Sequence, residues 1–249
     1  QADVICYDRL VNPAILRWCA PQAWLVYMGK ESTAGGKSQT AITRQLIRWA
    51  KSGKTVVRLK GGDPFLFGRG GEEALALVKA HVPFEIVPGV TSAFAVPAYA
   101  GIPITHRELS SSVAIATGHE DPTKPDSAIL WDRLSTACDT LVLLMGVNTL
   151  PETVRQLIRH GRRRSTPCAV VGWGTWPRQR TVVGTLSTIA GRVRRAGIRP
   201  PAVTVVGHVV SLRKQLAWVE RRPLFGKRIL VTRASERAGA LVSRLEALG

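Results

Sequence analysis

Val56-Val57-Arg58-Leu59-Lys60-Gly61-Gly62-Asp63-Pro64-Phe65-Leu66-Phe67-Gly68-Arg69-Gly70-Gly71-Glu72-Glu73 passes from β-branched residues through a glycine-rich turn into a segment of helical period. That succession is a βα unit, with a strand over Thr55 to Leu59 and a helix over Gly71 to His81. The same alternation extends in both directions. Upstream it predicts strands at Asp3 to Tyr7 and Trp24 to Met28, a helical turn at Pro13 to Cys19, and a helix at Gln39 to Lys51 with Ile42, Leu46 and Ile47 on one face. Downstream it predicts a strand at Phe84 to Val87 and a short helix at Thr91 to Tyr99. Repeated βα units imply a parallel sheet.

Ser112 to Thr117 opens a second series, with strands at Thr140 to Leu144, Cys168 to Val171, Thr181 to Thr185 and Ala202 to Val206. Helices are expected at Pro151 to His160 and Leu186 to Ala196. The expected organisation is therefore a first α/β domain over 1–107, a second over 108–220, and a linker beginning near Trp218 to Pro223. The last segment, 221–249, starts a fresh strand at Lys227 to Thr232 and a helix at Glu236 to Leu248. A chain of 249 residues fits this count, since domains run to roughly 100 to 200 residues.

Composition narrows the chemistry. Lys and Arg number 35 against 17 Asp and Glu, a formal charge of +18 that suits an anionic partner. No apolar run reaches the roughly 18 residues of a membrane span. Cys6, Cys19, Cys138 and Cys168 are widely spaced without a C-x-x-C pair, and the histidines lack H-x-x-x-H spacing, so no metal is expected. Reduced thiols suit a cytoplasmic location. The Arg162-Arg163-Arg164 run and the arginines from Arg192 to Arg199 read as solvated faces at helix ends.

Ligands of open α/β sheets bind at the carboxyl ends of the strands. Here those positions hold Asp8-Arg9, Gly29-Lys30, Gly61-Gly62-Asp63-Pro64, Gly89-Val90-Thr91-Ser92, Met145-Gly146 and Gly172-Trp173-Gly174. Glycine at such ends admits a ligand close to the backbone. Two familiar nucleotide motifs fail. Ala34-Gly35-Gly36-Lys37-Ser38 has Glu31 where a P-loop needs glycine, and Gly68-Arg69-Gly70-Gly71-Glu72 lacks the third glycine of a dinucleotide fingerprint.

The quoted stretch resembles the uroporphyrinogen-III C-methyltransferases of the tetrapyrrole methylase family. The likeness continues through Tyr7-Asp8-Arg9-Leu10, Gly29-Lys30, Val87-Pro88-Gly89-Val90-Thr91-Ser92, Gly101-Ile102-Pro103-Ile104-Thr105-His106-Arg107, Thr117-Gly118-His119, Met145-Gly146-Val147, Gly174-Thr175 with Gln179-Arg180, and Pro201-Ala202 through Val206-Gly207 to Leu212-Arg213, covering about residues 1 to 220. It implies a class III methyltransferase fold of two α/β domains with the cofactor, S-adenosylmethionine, in the cleft between them. It also implies a cytoplasmic homodimer acting on a tetrapyrrole polycarboxylate, with no nucleic acid and no membrane as partner.

By the same resemblance, Asp8 is the proton acceptor and Lys30 a proton donor. Cofactor contacts come from Gly61, Gly62, Asp63, Leu66, Thr91, Ser92, Met145 and Gly174. A polycarboxylate substrate makes Arg9, Arg58, Lys60, Arg69 and Arg107 candidate charge-assisted partners, although Arg58 lies within a strand and suits a structural role equally. An electron-rich ring carbon attacking a sulfonium methyl needs positioning more than activation, and the methylated ring must then lose a proton to a base.

The family's first strand and its cofactor loop are expected ahead of Gln1. Phe225-Gly226-Lys227-Arg228-Ile229-Leu230-Val231-Thr232-Arg233 resembles the start of a uroporphyrinogen-III synthase, which implies a fusion. Two rival readings share the fold or the chain: a methylase acting on RNA or on a later corrin intermediate, and a non-catalytic truncated domain.

Overall fold

A computed structural model describes residues 2–29, 38–118 and 129–249. These divide into two compact units, residues 1–91 and 92–249. The division falls earlier than the expected boundary at 107, because the helix that opens the second unit packs on the second sheet's strands.

The first unit holds a parallel sheet in the order β2-β1-β3, with β1 Val4–Tyr7, β2 Trp24–Tyr27 and β3 Val56–Leu59. A 3-10 turn, Pro13–Trp18, joins β1 to β2, and Asn12 caps it by accepting from Ala14 N–H. Helix α1, Gln39–Lys51, starts at Ser38, whose hydroxyl accepts from Ala41 N–H at 3.2 Å, and ends with Arg48 and Lys51 at its negative pole. Its Ile42 and Leu46, one turn apart, are buried against Val4, Cys6 and Met28. Helix α2 spans Gly70–Lys79.

Phe84 to Val87 forms no strand. Its residues are exposed and lie outside the sheet's ladders. Aromatic and β-branched composition marked it as strand material, but such material becomes a strand only beside a partner.

The second unit opens with α3, Ser92–Tyr99. It continues through β4 Val113–Thr117, α4 Trp131–Leu134, β5 Thr140–Leu144, α5 Leu150–Arg159, β6 Pro167–Gly172, β7 Arg180–Thr185, α6 Ile189–Arg195, β8 Ala202–Val206, α7 Arg213–Leu216 and α8 Ser235–Ala247. The sheet order is β4-β5-β8-β6-β7. Strand β5 is buried throughout and β6 nearly so, which is why Thr140-Leu141-Val142-Leu143-Leu144 and Pro167-Cys168-Ala169-Val170-Val171-Gly172 read as continuous apolar runs. Leu150, Val154 and Leu157 of α5, at i, i+4 and i+7, pack with Leu141, Leu143, Cys168, Val170 and Ile189.

Three further expectations are corrected. The supposed linker at 218–223 is docked on the second unit: Val219 is buried and Trp218 Nε1–H donates to Ala98 O at 3.0 Å. Lys227 to Thr232 joins no ladder, and Leu230 is 88% exposed. Arg162 is not a solvated residue. It donates to the carbonyls of Ser135, Cys138 and Asp139, closing the chain between α4 and β5. Among the described residues no helix is long and apolar enough to cross a membrane.

Candidate active site

The parallel register of the first sheet pairs Tyr7 with both Tyr27 and Leu59, so Asp8, Met28 and Lys60 leave the sheet at the same carboxyl edge. Lys30, the expected proton donor, lies outside the described residues.

Asp8 stands in a network of alternating charge. Arg58 donates to its Oδ1 at 2.5 Å, and Lys60 Nζ is 3.6 Å from its Oδ2. Both cations also reach Glu73: Arg58 Nε lies 3.4 Å from Oε1 and Lys60 Nζ 3.7 Å from Oε2. Gln39 Nε2 donates to Glu73 Oε1 at 2.7 Å, and Arg58 donates to Cys6 O at 3.3 Å. The Glu73 side chain is 6% exposed and that of Asp8 29%, so one carboxylate anchors the network from inside while the other faces out. Arg58 and Lys60, expected at the substrate, are thus shared with protein carboxylates. Arg9 and Arg107 are exposed. Arg69 is exposed and gripped through two nitrogens by Glu72, which raises its pKa.

The loop after β3 is organised by Asp63. Its Oδ1 accepts from Phe65 N–H at 2.8 Å and Leu66 N–H at 3.2 Å, while Oδ2 accepts from Gly89 N–H at 3.1 Å. These backbone donors, Gly89 foremost, hold the carboxyl below its ordinary range. The bonds occupy both Asp63 oxygens in building the loop, and they fix Leu66 through its backbone. Gly61 and Gly62 are exposed at the edge, and Gly62 has φ +82°, which favours glycine. A Cβ on Gly89 would stand 2.4 Å from Gly62 O. Thr91, by contrast, is buried.

In the second unit, β8 runs antiparallel to both β5 and β6, so β4, β5 and β6 all point the same way. Their carboxyl ends deliver Gly118, Met145-Gly146 and Trp173-Gly174 to a single edge. Thr149 Oγ1 donates to Gly118 O and sits 3.3 Å from Gly146 O, tying the turns after β4 and β5 together. Met145, Trp173 and Thr175 have φ of 59°, 51° and 67°, left-handed conformations that cost of order 1 kcal/mol each and gather at functional edges. Met145 is 51% exposed. A Cβ on Gly174 would meet Val96 Cγ1 at 2.3 Å, so its bareness lets the loop seat on α3. Ser92 is the first residue of that helix.

Sequence reasoning missed the groups that hold these edges. Glu73 lies on the buried stripe of α2 with Gly70 and Ala74, at i+3 and i+4, and a carboxylate in that stripe was the available signal. Gln179 accepts from Thr175 N–H at 2.9 Å and donates to Glu220 at 2.9 Å, and Glu220 also pairs with Arg213 and accepts from Thr181 at 2.6 Å. No short-range pattern announces that cluster.

The sequence profile of the Tetrapyrrole (Corrin/Porphyrin) Methylases matches residues 1–190. A uroporphyrinogen-III C-methyltransferase of Priestia megaterium is 51% identical over 211 residues, 85% of this chain and 88% of the relative. An S-adenosyl-L-methionine-dependent uroporphyrinogen III methyltransferase of Methanosarcina barkeri is 50% identical over 212 residues, 85% of this chain and 83% of the relative. Among solved structures, the uroporphyrin-III C-methyl transferase of Thermus thermophilus complexed with S-adenyl homocysteine superposes with a TM-score of 0.72 at 38% identity, covering 85% of this chain and 88% of that one. With its α/β sheets, its glycine-lined strand ends and this matching profile, the chain belongs to the tetrapyrrole methylase family.

Proposed function

We propose that this chain catalyses S-adenosylmethionine-dependent C-methylation of uroporphyrinogen III, in two transfers that yield precorrin-2. The observation that carries the reading is Asp8: a carboxylate at the carboxyl edge of the first sheet, partly exposed and braced by Arg58 and Lys60. The relatives from Priestia megaterium and Methanosarcina barkeri, matched over most of their length, support the substrate and the cofactor.

S-adenosylmethionine, when bound, supplies an electrophilic methyl group. The exposed Gly61-Gly62 backbone suits such a ligand, because no Cβ shields its N–H and C=O groups. In the second unit, Met145 and Ser92 are the proposed contacts. Asp63 and Gly174 act one step removed, by shaping the loops that present those backbones.

The chain's chemical task after methyl transfer is to accept a proton from the ring, and Asp8, partly exposed at the carboxyl edge, is the proposed acceptor. Arg9 and Arg107 keep exposed side chains for substrate carboxylates, whereas Arg69 would have to exchange its Glu72 partner for one. Lys30 remains the proposed proton donor. The reading includes a cytoplasmic homodimer, in keeping with the family resemblance and with cysteines that form no disulfide. A fused synthase domain after Leu224 belongs to it as well, on the likeness of 225–233.

The test is anaerobic incubation of the full-length protein with uroporphyrinogen III and S-adenosylmethionine. Mass spectrometry should find a product heavier by two methyl groups. An unmodified tetrapyrrole would overturn the reading.

A further inference from the structure

Glu73 is a buried carboxylate that no role discussed so far uses. It sits in the first turns of α2, and its neighbour Glu72 faces solvent and grips Arg69. Glu73 instead points at the sheet, where Arg58, Lys60 and Gln39 converge on it from β3, the end of β3 and the start of α1. Asp8 is the one other carboxylate that these cations reach among the described residues. The four charges therefore sum to zero, and each cation bridges an inner and an outer acid.

Burying a carboxylate is costly unless it is paired and hydrogen-bonded. Glu73 meets both conditions, and in doing so fixes where the two cations sit. Their positions in turn fix Asp8, because Arg58 reaches Asp8 through NH2 while its Nε faces Glu73. Without the inner negative charge, both cations would be left to Asp8 alone. They would then collapse onto it and move the oxygen that must face the ring.

We propose that Glu73 is a positioning residue for methylation: it holds Arg58 and Lys60 from the buried side so that Asp8 is presented to the substrate in a fixed orientation. This rests on Asp8 being the proton acceptor. Gln39 assists by holding Glu73 itself.

The experiment is a double-mutant cycle on the full-length protein, using Glu73→Gln, Asp8→Asn and the pair, read by single-turnover methylation with cofactor affinity measured by calorimetry. Glu73→Gln keeps the shape and the Gln39 contact while removing the charge. It should slow turnover roughly 10- to 100-fold, as a displaced catalytic group does, with cofactor affinity within about threefold of the parent. In the Asp8→Asn background the same change should cost almost nothing further, because an effect routed through Asp8 vanishes with it. Glu73→Asp, which restores the charge on a shorter arm, should recover part of the rate.

A purely structural Glu73 would lower the rate equally in both backgrounds and depress cofactor affinity, and that result overturns the proposal. So does a parental rate in Glu73→Gln. If Glu73→Gln fails to fold, the cycle is run with Glu73→Asp, whose smaller loss should likewise vanish in the Asp8→Asn background, and a loss that persists there overturns the proposal. A parent that does not methylate uroporphyrinogen III overturns the activity reading and this proposal together, whereas a methylating parent with an indifferent Glu73 overturns this proposal alone.

Discussion

A Cβ placed on Gly118 would stand 2.3 Å from the Cα of Gly146, so the turns leaving β4 and β5 meet backbone to backbone. Nothing flexible lies at that contact to give way. Gly118→Ala should therefore force the two turns apart and cost about 1 to 3 kcal/mol, the usual penalty for overpacking. Urea unfolding of the variant checks the stability. Calorimetry with S-adenosylmethionine checks whether displacing Met145-Gly146 also weakens the cofactor, which is the expected outcome.

Asp8→Asn retains the side chain's shape but accepts no proton. Turnover should fall about 10²- to 10⁴-fold, the range for a lost general base, while cofactor affinity stays near the parental value. Single-turnover methylation measured beside calorimetry separates the two. A rate within about threefold of the parent would assign Asp8 to structure, being far short of the loss of a base.

Asp63 makes the first unit's stability depend on acid. Its folded carboxyl titrates below the ordinary value because Gly89, Phe65 and Leu66 donate to its ionised form. The stabilisation is accordingly complete above the unfolded pKa of about 3.9 and is lost as pH falls through the lower folded value. Asp63→Asn, lacking the second acceptor for Gly89 N–H, should be less stable than the parent at neutral pH, and the gap should close below about pH 4. Denaturant unfolding across that range is the measurement, and a gap independent of pH would contradict it.

Glu220→Ala should destabilise the second unit by roughly 2 to 3 kcal/mol, near the lower end for breaking a buried ion pair, since the Arg213 and Glu220 side chains remain 15% and 20% exposed. Gln179, 3% exposed, would lose an acceptor at the same time. Thermal unfolding reports the change. Arg213→Leu in the same background should restore part of it by removing the stranded charge.

The cysteines should differ sharply towards a thiol reagent. Burial pushes the Cys168 thiol far up, and Cys6 is equally inaccessible at 0% exposure. Cys19 and Cys138 are partly exposed. Native labelling followed by mass spectrometry should modify Cys19 and Cys138 at least tenfold faster, as accessible thiols do, and all four should react once the chain is unfolded.

Strands and helices with strong period were legible from the residues: α1 spans the Gln39 to Lys51 that its apolar face indicated, and β5 and β8 match their apolar runs. What failed was anything decided by a distant partner. Phe84 to Val87 and Lys227 to Thr232 have strand composition, yet composition carries no information about whether a neighbour is there to pair. The stretch from Trp218 to Pro223 looks like a polar connector until Glu220 is seen to meet Gln179, Thr181 and Arg213. The edge positions of the site were legible because strand ends can be read locally. The contacts made there were not: Asp63 accepts from the backbone of its own loop, and Glu73 on the following helix reaches Arg58 and Lys60.

The place of β8 governs how the second unit can be made. That strand is the last of its sheet in the chain and lies between β5 and β6, hydrogen-bonded to both. During synthesis the β4-β5 pair and the β6-β7 hairpin emerge as two separate pieces, with β5 and β6 each unpaired on the side that β8 will fill, and neither can close a shared core until Ala202 to Val206 has left the ribosome. The unit is thus committed to late, long-range assembly, which slows folding and lengthens the time its edges stand open to other chains. A nascent chain arrested before β8 has emerged should remain chaperone-bound and protease-sensitive, and one released after Glu220, with the buried Val209, Val210 and Val219 in place, should not.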